Sequence, residues 1–416
     1  MSFGFVHSAL KEREALSLLR QRKVVSARRD GMLEVDGKAC LNFASNDYLG
    51  LSQHPDVLQS YVEGLAQYGS SSTASAVLSG YMRPHQILEE TLASLLNKDA
   101  VLLMNSGFSA NQALCHGLFG PDNKSDCNIL SDKLMHASFV ESARQSSAHY
   151  VRFKHNDIAH FSLCLKKCTG NTLVATEGVF SMDGDIGNIA QIQQALAKSN
   201  RTANCSDKNS HNAESKTSEN AASTQLMVDD AHGFGVIGDT GLGVSSIAGI
   251  DSDKIDILMA TFGKALGTSG GFIAGSKNLI EYLVNFAKHY VYSTAMPPAQ
   301  AVATLKSIEI MQHGQERAAL ARNIDTFKQF ANSRGLSLMP SDSAIQPIVI
   351  GDSATCVQSA SALMNLGIFV GAIRTPTVAK GSERLRITLS ALHSDKDIQA
   401  LVDALCIVRE KFSWGQ

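Results

Sequence analysis

Two short apolar runs end on groups able to do chemistry. Asp256-Ile257-Leu258-Met259-Ala260-Thr261-Phe262-Gly263-Lys264 ends on a lysine among small residues, and Leu226-Met227-Val228-Asp229-Asp230-Ala231-His232-Gly233 ends on acid, acid and imidazole. Runs this short, followed by glycine, read as buried strands passing into loops rather than as helices. Open α/β sheets carry their chemistry at such strand ends. A lone loop lysine is ordinarily solvated. Partial burial, however, lowers a lysine pKa and frees the amine to condense with an aldehyde.

A carboxylate at one strand end and an amine at the next can hold opposite ends of a flat aromatic cofactor. Pyridoxal 5'-phosphate asks for such a set: a lysine for its aldehyde, a carboxylate for its ring nitrogen, and a helix N-terminus for its phosphate. Val101 to Met104 reads as a strand that turns through Asn105-Ser106-Gly107-Phe108 into a helix beginning near Ser109. Free N–H groups at such a start attract a phosphate, although an ordinary strand-to-helix turn has the same look. His136 follows another strand, Asn128 to Leu130, at the start of a further helix. A lone histidine in that position is usually structural.

Two rival motifs fail on context. Gly233-Phe234-Gly235-Val236-Ile237-Gly238 fits the dinucleotide-binding pattern, but the chain after it stays glycine-rich, with no helical period to receive a pyrophosphate. Gly267-Thr268-Ser269-Gly270-Gly271 fits the nucleophile elbow of serine hydrolases, but its strand, Phe272 to Ala274, comes after it instead of before.

Further elements would position these groups. Ala9 to Lys23 reads as an amphipathic helix with Leu16 and Leu19 on its buried stripe, and a basic cluster follows at Arg20, Arg22, Lys23, Arg28 and Arg29. Leu173 to Ala175 is a strand leading into the loop Glu177 to Asp185. Pro297-Pro298 opens a long helix, and strands are expected near Ile345 to Ile350, Ile368 to Ile373 and Leu385 to Leu389. A last helix is capped by Ser394 and carries Ile398, Leu401, Val402 and Leu405 on one stripe. Lys198 to Thr224 is polar, without Leu, Ile, Val or an aromatic residue, and is expected to be a mobile surface loop.

Asn46-Asp47-Tyr48-Leu49-Gly50-Leu51, Ser106-Gly107-Phe108, Thr176 to Asp185, Val228 to Gly233, Thr261 to Lys264 and Arg384-Leu385-Arg386 occur in one order. In that order the chain resembles the α-oxoamine synthase family of fold-type I pyridoxal-phosphate enzymes, from about Leu41 to the C-terminal helix. The resemblance implies an α/β fold: a large cofactor domain with a mostly parallel sheet flanked by helices, and a smaller α+β C-terminal domain packed with the N-terminal segment. The expected boundaries are 1–45, 46–295 with an insertion at 198–224, and 296–416. It also implies roles. Lys264 anchors the cofactor and moves the substrate proton, and Asp229 partners the ring nitrogen. His136 stacks on the ring, and His232 and Ser181 adjust its phenolic oxygen. Ser106, Gly107, Phe108 and Thr261 make further cofactor contacts, while Arg20, Asn46, His136, Thr377 and Arg386 meet substrate.

Gly371 to Val378 resembles the segment near the acyl chain in the family member that joins L-alanine to a pimeloyl thioester, carried as pimeloyl-CoA or pimeloyl-ACP. Thr375 stands there in place of the usual proline. Family sites lie at a dimer interface, so a homodimer is expected. The loop Gly69 to Ala76 is poorer in glycine than its relatives, which stiffens it.

Composition excludes other classes. A formal net charge of -2 with 18% charged residues points to no nucleic acid or anionic membrane. The thirteen histidines and eight cysteines form no His-Glu-x-x-His or Cys-x-x-Cys, so no metal site is expected. Lys11-Glu12-Arg13-Glu14 breaks a signal-peptide reading, and no apolar stretch approaches a membrane span, so a soluble, cytoplasmic protein is expected.

Overall fold

The computed structural model describes residues 3–121, 126–206 and 223–414 of the 416. The chain forms two units, one of residues 1–54, 181–185 and 313–416, the other of residues 55–180 and 186–312. These divisions differ from the expected 45 and 295: the long helix opened by Pro298 stays with the larger unit, and 181–185 joins the smaller one.

The smaller unit begins with α1 (Gly4–Ala15), β1 (Val25–Arg29), β2 (Met32–Val35) and β3 (Lys38–Asn42). α1 is shorter than the expected helix over Ala9 to Lys23, and none of its residues is buried. Leu16 lies beyond it, exposed, and Leu19 is only half-buried. The expected stripe therefore meets no core within this unit.

The larger unit runs α2 (Pro55–Tyr68), α3 (Arg83–Leu96), β4 (Ala100–Met104), α4 (Gly107–Leu118), β5 (Cys127–Asp132), α5 (Ala137–Gln145), β6 (His149–Phe153), α6 (Ile158–Leu165), β7 (Asn171–Glu177), α7 (Ile189–Ser206), β8 (Thr224–Asp229), β9 (Ile257–Thr261), β10 (Gly271–Gly275), α8 (Lys277–Phe286), α9 (Lys288–Val291) and α10 (Pro298–His313). Its seven strands are ordered β4-β10-β9-β8-β7-β5-β6. The pairs from β9 through β6 are parallel, while β10 runs antiparallel to both neighbours. Buried on both faces, these strands need near-continuous apolar sequence, and β4, β9 and β10 supply it. On one face Leu102, Ile129, Met227 and Met259 pack with Ala113 and Leu114 of α4, Phe139 of α5 and Leu283 of α8.

α7 corrects the expected loop at 198–224 at its start, because the helix carries its backbone through Ser206. Low apolar content argues against docking, not against continuing a helix already anchored by buried Ile189 and Ile192. The rest of that stretch, 207–222, lies outside the described residues.

The chain returns to the smaller unit with α11 (Glu316–Ser333), β11 (Ile345–Val349), α12 (Ser353–Asn365), β12 (Ile368–Phe369), β13 (Gly371–Ile373), β14 (Arg384–Thr388) and α13 (Asp395–Phe412). β12 pairs in parallel with β3, so the N-terminal and C-terminal segments share one sheet, β1-β2-β3-β12. A second sheet is ordered β11-β14-β13. Ser394 caps α13, accepting from Asp397 N at 3.3 Å, and Ile398, Leu401, Val402 and Leu405 are all buried. Among the described residues no helix is long and apolar enough to cross a membrane, and no cluster of His, Cys, Asp or Glu could hold a metal ion.

Candidate active site

β8 and β9 are adjacent parallel strands, with Asp229 level with Met259. Asp229 is the last residue of β8, and Lys264 follows the end of β9. Around these ends lies a cavity of about 170 Å³ lined by Gly107, Phe108, Asn111, His136, Ser138, Glu177, Asp229, Ala231, His232, Met259, Thr261 and Lys264.

The carboxylate of Asp229 is 4% exposed and firmly placed. Its Oδ2 accepts from Asn111 Nδ2 at 3.0 Å, and its Oδ1 accepts from Ala231 N at 3.2 Å. Asn111, on α4, gives its other amide hydrogen to Ser138 Oγ at 3.0 Å. Ser138 in turn meets His136 Nδ1, through Oγ at 2.8 Å and through N at 3.3 Å. Since Nδ1 accepts from Ser138, a neutral His136 carries its proton on Nε2. Desolvation holds this imidazole below the ordinary histidine range; Asp229 pulls it upward and Lys264 pushes it further down. The sequence reading did not single out Asn111, Ser138 or Glu177. A polar Asn111 among the buried Ala110, Ala113 and Leu114 of one helix was the available signal.

Asp230, the next residue, is turned into a different environment. Its Oδ2 accepts from Val244 N at 2.9 Å, while its Oδ1 has no partner among the described residues. Desolvation raises its pKa well above the usual carboxylate range. A Cβ added at Gly178, Gly233 or Gly243 would come within 2.0, 2.1 or 1.8 Å of its carboxylate oxygens. Gly233, which opened the false dinucleotide pattern, is thus required by the packing of a buried acid. The chain after it makes turns and the short 3-10 helix Gly243–Ser246.

At the opposite wall α4 begins at Gly107, earlier than the expected Ser109. Ser106 caps it: Ser109 N donates to Ser106 Oγ at 3.0 Å, and Ala110 N closes the first turn on Ser106 O. The helix leaves the N–H groups of Gly107 and Phe108 for an outside acceptor, and its dipole favours an anion there. Thr261 donates through Oγ1 to Gly270 O at 2.7 Å. His232 is buried in the cavity wall.

The remaining expected residues cluster in the smaller unit. Arg386, 7% exposed, donates from Nε to Ser181 O at 2.7 Å and from Nη1 to Asn46 Oδ1 at 3.1 Å and Thr388 Oγ1 at 3.0 Å. Ser181 is therefore held through its carbonyl by β14. Arg20 Nη2 donates to Thr377 Oγ1 at 3.2 Å. Arg374, three residues before Thr377, donates to the carbonyl of Ser17.

The model of the family described as aminotransferase class I and II matches residues 38–206 and 218–405. The chain belongs to this family. A curated relative, the 8-amino-7-oxononanoate synthase of Aeromonas salmonicida, is 44% identical over 408 residues, covering 98% of this chain and 95% of that protein. A solved 8-amino-7-oxononanoate synthase from Francisella tularensis is 26% identical with a TM-score of 0.72, covering 89% of this chain and 98% of that one. A serine palmitoyltransferase variant from S. paucimobilis, solved with a bound PLP–myriocin aldimine, is 23% identical with a TM-score of 0.86 over 99% and 98% of the two chains, which shows a shared fold. The architecture is that of fold-type I pyridoxal-phosphate enzymes. In this family member the match breaks at 207–217, inside the polar stretch that the sequence marked as an insertion.

Proposed function

We propose that the protein is an acyltransferase that uses pyridoxal 5'-phosphate to condense L-alanine with a pimeloyl thioester, releasing CO2 and free thiol and giving the 8-amino-7-oxononanoate of biotin synthesis. The near full-length identity to enzymes of that name carries the reading. The cavity fits the cofactor by its donor set: an amine and a fixed carboxylate at neighbouring strand ends, and a helix start with N–H groups to spare.

When bound, the cofactor supplies an aldehyde for amines and a protonated ring that takes up carbanion charge. Lys264 would anchor the cofactor through Nζ, and the same amine would take the proton from the α-carbon of alanine. Asp229, its oxygens fixed by Asn111 and Ala231, holds a proton at the ring nitrogen. His136 covers the ring face, and His232 and Ser181 address the phenolic oxygen. Ser106, Gly107, Phe108 and Thr261 receive the phosphate end.

Arg386, with Asn46, takes the alanine carboxylate. Its Nε and Nη1 hydrogen bonds and its pairing with Tyr48 fix the guanidinium in place before substrate arrives. Arg20 and Thr377 meet the acyl thioester, on coenzyme A or on acyl carrier protein. A homodimer belongs to the same reading.

The test is product formation by purified protein from alanine or glycine with pimeloyl-CoA, pimeloyl-ACP and acetyl-CoA. Alanine with a pimeloyl thioester is expected to be the productive pair, with some glycine use, because one methyl group is worth only about 1–3 kcal/mol. Efficient use of glycine with acetyl-CoA and none of alanine would make it a glycine C-acetyltransferase instead. Lys264→Ala is expected to abolish turnover and the visible absorbance of the bound cofactor.

A further inference from the structure

The loop 374–381 carries Thr377, and its two ends are tied to one buried carboxylate. Glu383, at the loop's exit and 3% exposed, accepts from Thr375 Oγ1 at 3.0 Å and Ser353 Oγ at 3.2 Å through Oε1, and from Gly381 N at 2.8 Å through Oε2. Its own backbone is also anchored, since Ile350 N and Gly351 N donate to Glu383 O at 2.7 and 3.0 Å. Thr375 and Gly381 bracket the loop, and Ser353 fixes the carboxylate to the first turn of α12. Inside the bracket, Thr377 N closes on Arg374 O at 3.0 Å, and Thr377 Oγ1 accepts from Arg20. Desolvation pushes the Glu383 carboxyl up, but hydrogen bonds from its own backbone, Thr375, Gly381 and Ser353 outweigh it and leave the pKa below the ordinary glutamate range.

Thr375 stands where the resemblance places a proline. A proline there would hold the loop by its ring and would have no hydroxyl to give. We propose that the Ser353–Glu383–Thr375 latch is the positioning device of the acyl-binding loop in this protein, setting the place of Thr377 and hence the enzyme's affinity for its acyl thioester. This rests on the functional reading above. Thr375 acts through Thr377 and does not itself touch substrate, so its effect belongs to the thioester and not to the amino acid.

The experiment compares steady-state kinetics of the holoenzyme with Thr375→Val, which keeps the side-chain shape and removes the donor. The KM for the pimeloyl thioester is expected to rise about 3- to 10-fold, with kcat and the KM for alanine within twofold of wild type, because the lost bond acts on loop position and only part of its energy reaches the thioester. Thr375→Ser restores the donor and is expected to restore KM. Ser353→Ala, which removes the other hydroxyl from the same oxygen without altering the loop, is expected to cause the same selective rise. An unchanged thioester KM in both Thr375→Val and Ser353→Ala, or equal losses in kcat and in the alanine KM, would overturn the latch while leaving the function in place. A wild-type protein that turns over no acyl thioester would overturn both.

Discussion

Asp229 and Asp230 are neighbours in the chain with opposite chemistry. Asp229 is braced by two donors at the cavity wall, whereas Asp230 sits among glycines with one oxygen unpartnered and its pKa raised by burial. Asn is isosteric with a protonated aspartate, so Asp230→Asn is expected to keep activity and cofactor content near wild type. Asp229→Asn removes the charge proposed to hold the ring proton, and kcat is expected to fall roughly 10²-fold at nearly full cofactor occupancy. Absorbance titration with parallel assays checks both, and the reverse ranking would make Asp230 the ring partner. The sequence displayed Lys264, Asp229 and His232 because each follows a short apolar run. It concealed Asn111 and Ser138, whose importance comes only from α4 and α5 lying side by side. No local pattern encodes that contact.

Between elements, Arg384-Leu385-Arg386 acts through strand alternation. Leu385 turns into the core, while Arg384 and Arg386 share the other face and hold the segment 181–185. Arg384 Nη1 meets Asp183 Oδ1 at 2.6 Å, with the side chains 6% and 18% exposed. Ser341 Oγ adds a bond to Gly184 O at 3.0 Å. Removing one partner strands a buried charge, so Asp183→Ala is expected to cost about 3 kcal/mol in denaturant unfolding, and Asp183→Asn, which keeps an acceptor, less. A loss below about 1 kcal/mol for Asp183→Ala would mean that the pair is already well solvated.

The strands that carry the site and α13 were legible because apolar runs and caps are local, whereas β1, β2 and β6, which are largely exposed or mixed in character, were not read. The N-terminal helix was misplaced because Leu16 and Leu19 supplied a period with no core to meet it. In the glycine-poor loop, Thr73 takes the left-handed φ of +58° that glycine would adopt freely, at a cost of about 1–2 kcal/mol, while buried Ser72 donates to Met296 O at 2.5 Å. Tertiary bonds there outweigh residue preference, which sequence alone does not reveal.

Stability of the whole molecule should depend on a carboxyl outside the proposed cofactor cavity. Glu89, on α3, is pushed from 4.5 up to about 7, chiefly by desolvation. Tyr81 Oη at 2.6 Å and Leu103 N at 3.1 Å donate to it and oppose the rise, while Glu90 adds to it. His85, His289 and Tyr290 line the same cavity, and His85 is itself held below the ordinary histidine range by desolvation and bonds through Nε2 to Met296 O. The folded chain keeps the Glu89 proton up to about pH 7, whereas the unfolded chain releases it near 4.5. The folded state therefore binds more protons in that window, and stability from this group is full below about 4.5 and is lost as pH rises through about 7. Glu89→Gln imitates the protonated form at every pH. Its melting temperature is expected to match wild type near pH 5 and to exceed it near pH 8, by the equivalent of about 1–3 kcal/mol. Identical pH profiles for the two proteins would show that Glu89 ionises normally, with the Tyr81 and Leu103 donors outweighing its burial.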